Sequence, residues 1–424
     1  MNADARSFHP LSFSMPEFFI AFILLGWLLR GRQRGGEGEG RYLNAPMIAL
    51  ALAALAGIFL AGKPSEATRI AFERFYEPLI LFFVMTHRQW DRSRLRLAVG
   101  VFLMVITFVA IRSLYLHFTG HVATEETSVD IDKTTGKVHE VSRLAGEWAA
   151  LNPQAAFFVL LTPMAFLWGL YHPSGAKRLF AFLAFGICSL AIALTCTRAA
   201  WLAMGATLAW LARKRPRALV FVLLVAIVVG ALGTRDMMMR GETLLDPMSD
   251  VSATNRLVVW GDTIDMMVHA HFLGIGLGTW ARIYHPGRLN TSATAHPHND
   301  FLLMAAELGI IGLVVFLILI LKVVATLRRA GRRATALDQI TLAGLGAALV
   351  SALMQSNFDC ILAWPQFGLA FWFALGLAAA YGQSILAESE SSLEGGLEPP
   401  RVAGAFHAGA IARRSVEGSV RVAR

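Results

Sequence analysis

Charge is what this chain has least of. Only 16% of its 424 residues are Asp, Glu, Lys or Arg, where an ordinary soluble domain carries about a quarter. The shortage is matched by 56% hydrophobic residues and a mean hydropathy of +0.55, which excludes a typical soluble enzyme. Cysteine is nearly as sparse. Cys188, Cys196 and Cys360 form neither a metal-ligand spacing nor a disulfide framework. A Cys196–Cys360 bridge is conceivable, but buried free thiols are the expectation. Internal repeats are also missing. No βαβ unit surrounds Gly274, Gly276 and Gly278, so these glycines read as a turn rather than a dinucleotide-binding loop.

What is present is apolar sequence in long runs, each near the ~20 residues a helix needs to cross lipid. About eleven such runs are expected, roughly 13–29, 43–61, 70–86, 95–111, 154–171, 179–196, 199–212, 218–233, 301–321, 340–357 and 361–382. The fold class is therefore all-α, a polytopic transmembrane protein of about 11–12 spans. Residues 1–382 are expected to form a single membrane domain, and 383–424 a disordered cytoplasmic tail. The run 13–29 is followed by Arg30, Arg32 and Arg34 rather than preceded by positive charge, the order of an uncleaved helix and not of a signal peptide.

The net charge of +9 invites a nucleic-acid reading, but its distribution argues against a nucleic-acid partner. Most of the 38 lysines and arginines lie in short loops on one side of the alternating spans, as in Arg213-Lys214-Arg215-Pro216-Arg217. The positive-inside rule makes that side cytoplasmic and puts the long segments 112–153 and 234–300 outside. Within 234–300, Leu257, Trp260, Ile264, Met267 and Val268 recur at helical spacing. They predict an amphipathic helix in the interface, with Ser252, Thr254 and Asn255 as candidate caps.

Four polar positions stand at span boundaries on the external side: Arg198, Arg256, the pair His296 and His298, and Asp359. Each alone has a plain reading, such as a snorkelling arginine or a loop carboxylate. Together, beside lipid, they suit a membrane-bound anionic substrate. Two guanidinium groups can hold a pyrophosphate without a metal ion. An imidazole can take a proton from an attacking hydroxyl, and a carboxylate at its other nitrogen fixes the tautomer. Asp300 is placed to cap the span that follows. Asp130-Ile131-Asp132 fits a short metal-binding pattern in a polar loop and is given no metal role, because such patterns are common by chance. Glu73, Arg74 and Glu77 interrupt the third run; they are expected to pair among themselves at i,i+3 and i,i+4, or to line an acceptor path.

At these residues the chain resembles the O-antigen ligase family, in the superfamily shared with O-antigen polymerases and bacterial protein O-oligosaccharyltransferases. The family's His-Asn, nine residues, Gly, two residues, Gly pattern is matched by His298-Asn299, Gly309 and Gly312. Its Arg, three residues, Leu pattern is matched by Arg198 and Leu202. Asn255-Arg256-Leu257 through Trp260, followed by Gly274 to Gly278, is similar to the family's arginine–tryptophan helix and glycine turn. The resemblance spans roughly residues 180–380.

The resemblance implies an inverting, metal-independent glycosyltransferase with no cofactor. It would act at the periplasmic face of the bacterial inner membrane. The donor would be a glycan on undecaprenyl pyrophosphate and the acceptor the lipid A–core oligosaccharide, with membrane lipids as further partners. By position, Arg198, Arg256, His298 and Asp359 would be catalytic, the two arginines on the pyrophosphate and His298 as base. Asn299 would join Arg198 and Arg256 in substrate binding; His296, which has no counterpart in the motif, would stand behind them, and Glu73 and Arg74 are further substrate-binding candidates from the charge reading above. A polymerase or protein-glycosylating relative would share the site and differ in acceptor. A transporter or flippase for a lipid-linked glycan is the alternative of another class; it would place polar groups near the midplane and show repeated halves.

Overall fold

The computed structural model describes residues 41–120, 128–131, 138–141, 143–144, 151–213, 216–231, 241, 251–284 and 296–394. The expected span 13–29 lies outside these residues. The described helices are α1 (Arg41–Leu60), α2 (Pro64–Ala71), α3 (Glu77–Thr86), α4 (Arg92–Thr119), α5 (Leu151–Tyr171), α6 (Gly175–Leu194), α7 (Arg198–Ala212), α8 (Pro216–Ala231), α9 (Val251–His269), the single turn α10 (Trp280–Ile283), α11 (Asp300–Gly331), α12 (Ala336–Gln355) and α13 (Pro365–Glu394). A π-helical turn, Phe72–Tyr76, joins α2 to α3. One short antiparallel hairpin, β1 (Ser128–Ile131) with β2 (Val138–Val141), sits in the segment between α4 and α5.

Among the described residues, seven helices are long and apolar enough to cross a membrane: α1, α4, α5, α6, α11, α12 and α13. The protein is thus a multi-pass helical membrane protein. Of the other expected runs within the described residues, 70–86 carries the π-turn, with Pro78 just beyond it, inside one continuous helical stretch, and α7 and α8 have 15 and 16 residues. The hairpin carries Asp130 and Ile131, whereas Asp132 lies outside the described residues.

α5 forms the centre, with nearly all its side chains enclosed by neighbouring helices. Lipid offers no hydrophobic drive between helices, so they associate by close packing. At Gly344 of α12 a Cβ would lie 2.6 Å from Met164 Sδ on α5, which shows how nearly the two backbones meet. The outer faces carry Ile48, Phe59, Leu97, Phe108 and Leu183, all exposed, as a lipid-facing surface requires.

The two ends of the bundle differ. At one end lie Arg92, Arg178, Arg213 and the Arg328–Arg333 stretch. There Asp338 at the start of α12 accepts from Arg92 Nη1 (3.0 Å) and from Tyr381 Oη (2.6 Å), and Arg333 donates to Ser389 (2.9 Å). These bonds correct the expected tail boundary. The chain does not lose order at residue 383; Ile385 is buried and α13 runs on to Glu394, tied by Arg92 to Glu388 and by Arg333 to Ser389. Residues 395–424 lie outside the described residues. The other end gathers the starts of α5, α7, α11 and α13 and the ends of α6 and α12.

Candidate active site

The non-basic end is assembled around two loops, residues 296–299 before α11 and 356–364 between α12 and α13. They are fastened backbone to backbone: Asp300 N donates to Ser356 O (2.9 Å). Asn299, not Asp300, is the cap of α11. Its Oδ1 accepts from Leu302 N (3.0 Å) and its Nδ2 donates to Asn357 O (3.2 Å). This corrects the expectation that Asp300 caps the span. Asn299 is buried, and both ends of its side chain hold the loop. Asp300, freed from capping, accepts from Leu362 N through both oxygens at 3.2 and 3.0 Å.

The loop presents His298, whose backbone is left-handed (φ 52°). For a residue other than glycine this costs about 1–3 kcal/mol, offset here by the bonds on either side. His298 Nδ1 lies 3.0 Å from Asp359 Oδ1, and His296 Nδ1 lies 3.8 Å from the same oxygen. The two imidazoles meet edge to face at 4.6 Å. Burial alone would raise the Asp359 carboxyl, but the hydrogen bond from His298, the two imidazole charges and a further bond from Asn152 hold it down at about 2. Burial pushes His296 down to about 4 against the pull of Asp359. At neutral pH the centre therefore contains an ionised carboxylate and a neutral His296. An ionised Asp359 can only accept, so the proton in the 3.0 Å bond sits on His298 Nδ1 and leaves Nε2 as the basic nitrogen.

Asp359 is also fixed from behind. Cys360 N donates to Oδ1 (2.8 Å), and Asn152 Nδ2, on the first turn of α5, donates to Oδ2. Asn152 Oδ1 in turn accepts from Thr197 Oγ1 and from Arg143, each at 3.3 Å. Thr197 precedes Arg198, the first residue of α7, and the turn that delivers it contains a second left-handed residue, Cys196 (φ 52°). Arg256 lies one turn before Trp260 on α9, and Trp260 Nε1 donates to Pro297 O (2.9 Å), between the two histidines. The turn of Arg198 and the helix of Arg256 are thus each bonded to the histidine site. α9 begins at Val251, so Ser252, Thr254 and Asn255 lie inside it and are not its caps.

The third charged cluster behaves differently from expectation. Glu73 pairs with Arg69 (3.6 Å), and Arg74 reaches Glu307 on α11 (3.6 Å). Glu307 is buried, and the Arg74 pair spans elements, whereas Arg69–Glu73 runs i,i+4 along one helical stretch. Arg74, Asp300 and Glu307 face a small, partly open and otherwise apolar pocket bounded by Leu303, Leu308 and Trp372 among others. The three cysteines are free and buried, and the conceivable Cys196–Cys360 bridge is not formed. Cys360 Sγ accepts instead from Asn299 N (3.3 Å). Among the described residues, His296, His298 and Asp359 are the one group of ligand-type side chains close enough to hold a cation, with ligand atoms within 4.8 Å.

Asn152, Arg143 and Thr197 escaped the sequence reading. Asn152 stood at the same kind of polar-to-apolar junction as His298, and that signal would have found it. Arg143, inside a long polar segment, gave none.

Fold and site together define a helical membrane protein that carries a histidine–carboxylate pair where its helices emerge. Residues 183–317, the stretch bearing Arg198, Arg256 and His298, match the family described as O-Antigen ligase. That match makes this stretch, about a third of the chain, similar to the O-antigen ligase family. Among curated proteins none matches it.

Proposed function

We propose that this protein is an O-antigen ligase of the bacterial inner membrane. It would move a glycan from undecaprenyl pyrophosphate to lipid A–core oligosaccharide at the periplasmic face. The observation that carries the reading is the His298–Asp359 pair, 3.0 Å apart, at the end of the bundle away from the arginine clusters. The positive-inside rule puts that end outside the cytoplasm.

In this reading His298 Nε2 takes the proton of the acceptor hydroxyl as its oxygen attacks the anomeric carbon. The bond from that carbon to the pyrophosphate oxygen breaks, and its electron pair leaves with undecaprenyl pyrophosphate. Arg198 and Arg256 hold the diphosphate and offset the charge it gains. A one-step displacement inverts the anomeric centre, because the acceptor must enter opposite the leaving group. Asp359 keeps Nδ1 protonated and stabilises the imidazolium that forms. Its oxygens already accept from His298, Cys360 N and Asn152, which favours an oriented base over a cation ligand. Arg74 is the further candidate for substrate contact, at the pocket beneath the loop.

The test is transfer in proteoliposomes with purified donor. Lipid A–core, a second donor molecule and an acceptor peptide compete, with a chelator present throughout. Glycan joined to lipid A–core, undiminished by the chelator, is the expected result. Joining to the second donor or the peptide would make the protein a polymerase or a protein glycosyltransferase. Donor crossing the bilayer with no bond change would make it a flippase.

A further inference from the structure

Between the base and the arginine turn stands a side chain to which nothing above gives a role. Asn152 opens α5 at the level of the site, and its amide is used at both ends. Nδ2 donates to Asp359 Oδ2, while Oδ1 accepts from the hydroxyl of Thr197 and from Arg143 Nη2, both at 3.3 Å. Its backbone is held too, since Gln355 Nε2 donates to Asn152 O (3.2 Å) from the last residue of α12. Arg143 completes the brace by donating through Nε to Thr195 O (2.8 Å) and through Nη2 to Thr197 Oγ1 (3.0 Å). The chain of bonds runs unbroken from the turn before Arg198, through Asn152 and Asp359, to His298.

We propose that Asn152 is a positioning residue for glycosyl transfer: it aligns Asp359 behind His298 and fixes that pair to the turn carrying Arg198. This rests on the reading of His298 as the base. An amide suits the place because the two sides ask for opposite chemistry. Asp359, ionised, needs a donor; Thr197 and Arg143 need an acceptor. Asparagine supplies both in one rigid plane. Aspartate has the same shape and satisfies only the second side, setting a carboxylate against a carboxylate. Alanine satisfies neither.

The test uses Asn152→Asp, Asn152→Ala, Asp359→Ala and the Asn152→Ala/Asp359→Ala double variant in the full-length protein in proteoliposomes. The readouts are turnover, KM for the lipid-linked donor, and binding of undecaprenyl pyrophosphate alone. Asn152→Asp keeps the bonds to Thr197 and Arg143 but repels Asp359, so a purely structural asparagine would lose stability and donor binding along with turnover. The positioning role instead predicts a fall in kcat of about ten- to a hundredfold for Asn152→Asp, as for a displaced catalytic group. Donor KM and undecaprenyl pyrophosphate binding stay within about twofold. It further predicts that Asn152→Ala adds almost nothing once Asp359 is gone, because the two act as a unit. Wild-type turnover in Asn152→Asp, or losses that multiply in the double variant, would overturn the proposal. His298→Ala separates the two readings: full turnover there removes the base itself, whereas a dead His298→Ala beside an active Asn152→Asp removes only the role given to Asn152.

Discussion

Asp359 lies within hydrogen-bonding distance of one imidazole and 3.8 Å from a second, and the two histidines carry different duties. Only His298 has the short bond to Asp359 that leaves Nε2 for the proposed role of base. His298→Ala is expected to abolish transfer, by at least about 10²-fold as for loss of a general base, while undecaprenyl pyrophosphate still binds. Arg198→Ala should weaken both. A donor-binding assay beside the transfer assay checks the contrast, and the reverse pattern would reject these roles. His296 has its consequence in stability. In the folded protein its pKa is depressed from 6.5 to about 4 by burial, so an unfolded chain binds a proton that the folded one refuses between those values. Stability from this residue is complete above about pH 6.5 and drains away as the pH falls towards 4. Asp359, held at about 2 against an ordinary 3.8, acts in a lower window and loses its contribution only below about pH 4. In detergent, lowering the pH from 6.5 to 4 should shift the thermal midpoint of wild type downward relative to that of His296→Gln. An equal slope in both would exclude His296 as the titrating group.

At the scale of elements, the glycines of the motif have a geometric reason. Gly309 interrupts α11 with φ 75° and ψ 172°. At this break the chain of residues 272–276 lies directly on the helix: Ile310 N donates to Phe272 O, Ile275 N to Ala306 O and Gly276 N to Glu307 O. A Cβ on Gly309 would stand 2.6 Å from Leu273 O, and one on Gly276 2.4 Å from Ala61 N. Both atoms are backbone and cannot move aside. Gly309→Ala and Gly276→Ala should each cost at least about 2 kcal/mol from left-handed strain and the clash together, read as a lower unfolding midpoint. Gly205→Ala on α7, where a Cβ meets nothing within 4 Å, is the neutral control. Much of this level was legible in sequence. The apolar runs marked the seven long described helices, and the polar residues at their ends included His298 and Asp359, which the fold pairs. Three features were not legible. The π-turn at Phe72–Tyr76 leaves no mark in hydropathy. The extension of α13 to Glu394 depends on Arg92 and Arg333, distant in sequence. Asn299 and Asp300 are neighbours with equal cap propensity, and only the position of Leu362 N decides which of them caps.

On the scale of the whole molecule the decisive property is polarity along the bundle axis. The helix directions put Arg92, Arg178, Arg213 and Arg328–Arg333 at one end and the histidine loop at the other. Gln154 Nε2 donating to Ser113 Oγ (2.8 Å) ties the start of α5 to the last turns of α4, so the segment after α4 emerges at the histidine end. Thiol chemistry can read this arrangement because the native cysteines are all buried and should stay silent. Thr119→Cys marks the histidine end, and Ser174→Cys, in the exposed turn between α5 and α6, marks the basic end. Neither position takes part in the proposed chemistry. In intact spheroplasts a membrane-impermeant maleimide should label Thr119→Cys and spare Ser174→Cys until the membrane is opened. The opposite pattern would put the imidazole–carboxylate pair in the cytoplasm. Transfer to an acceptor on the outer leaflet would then be geometrically impossible, whatever the activity of the purified protein.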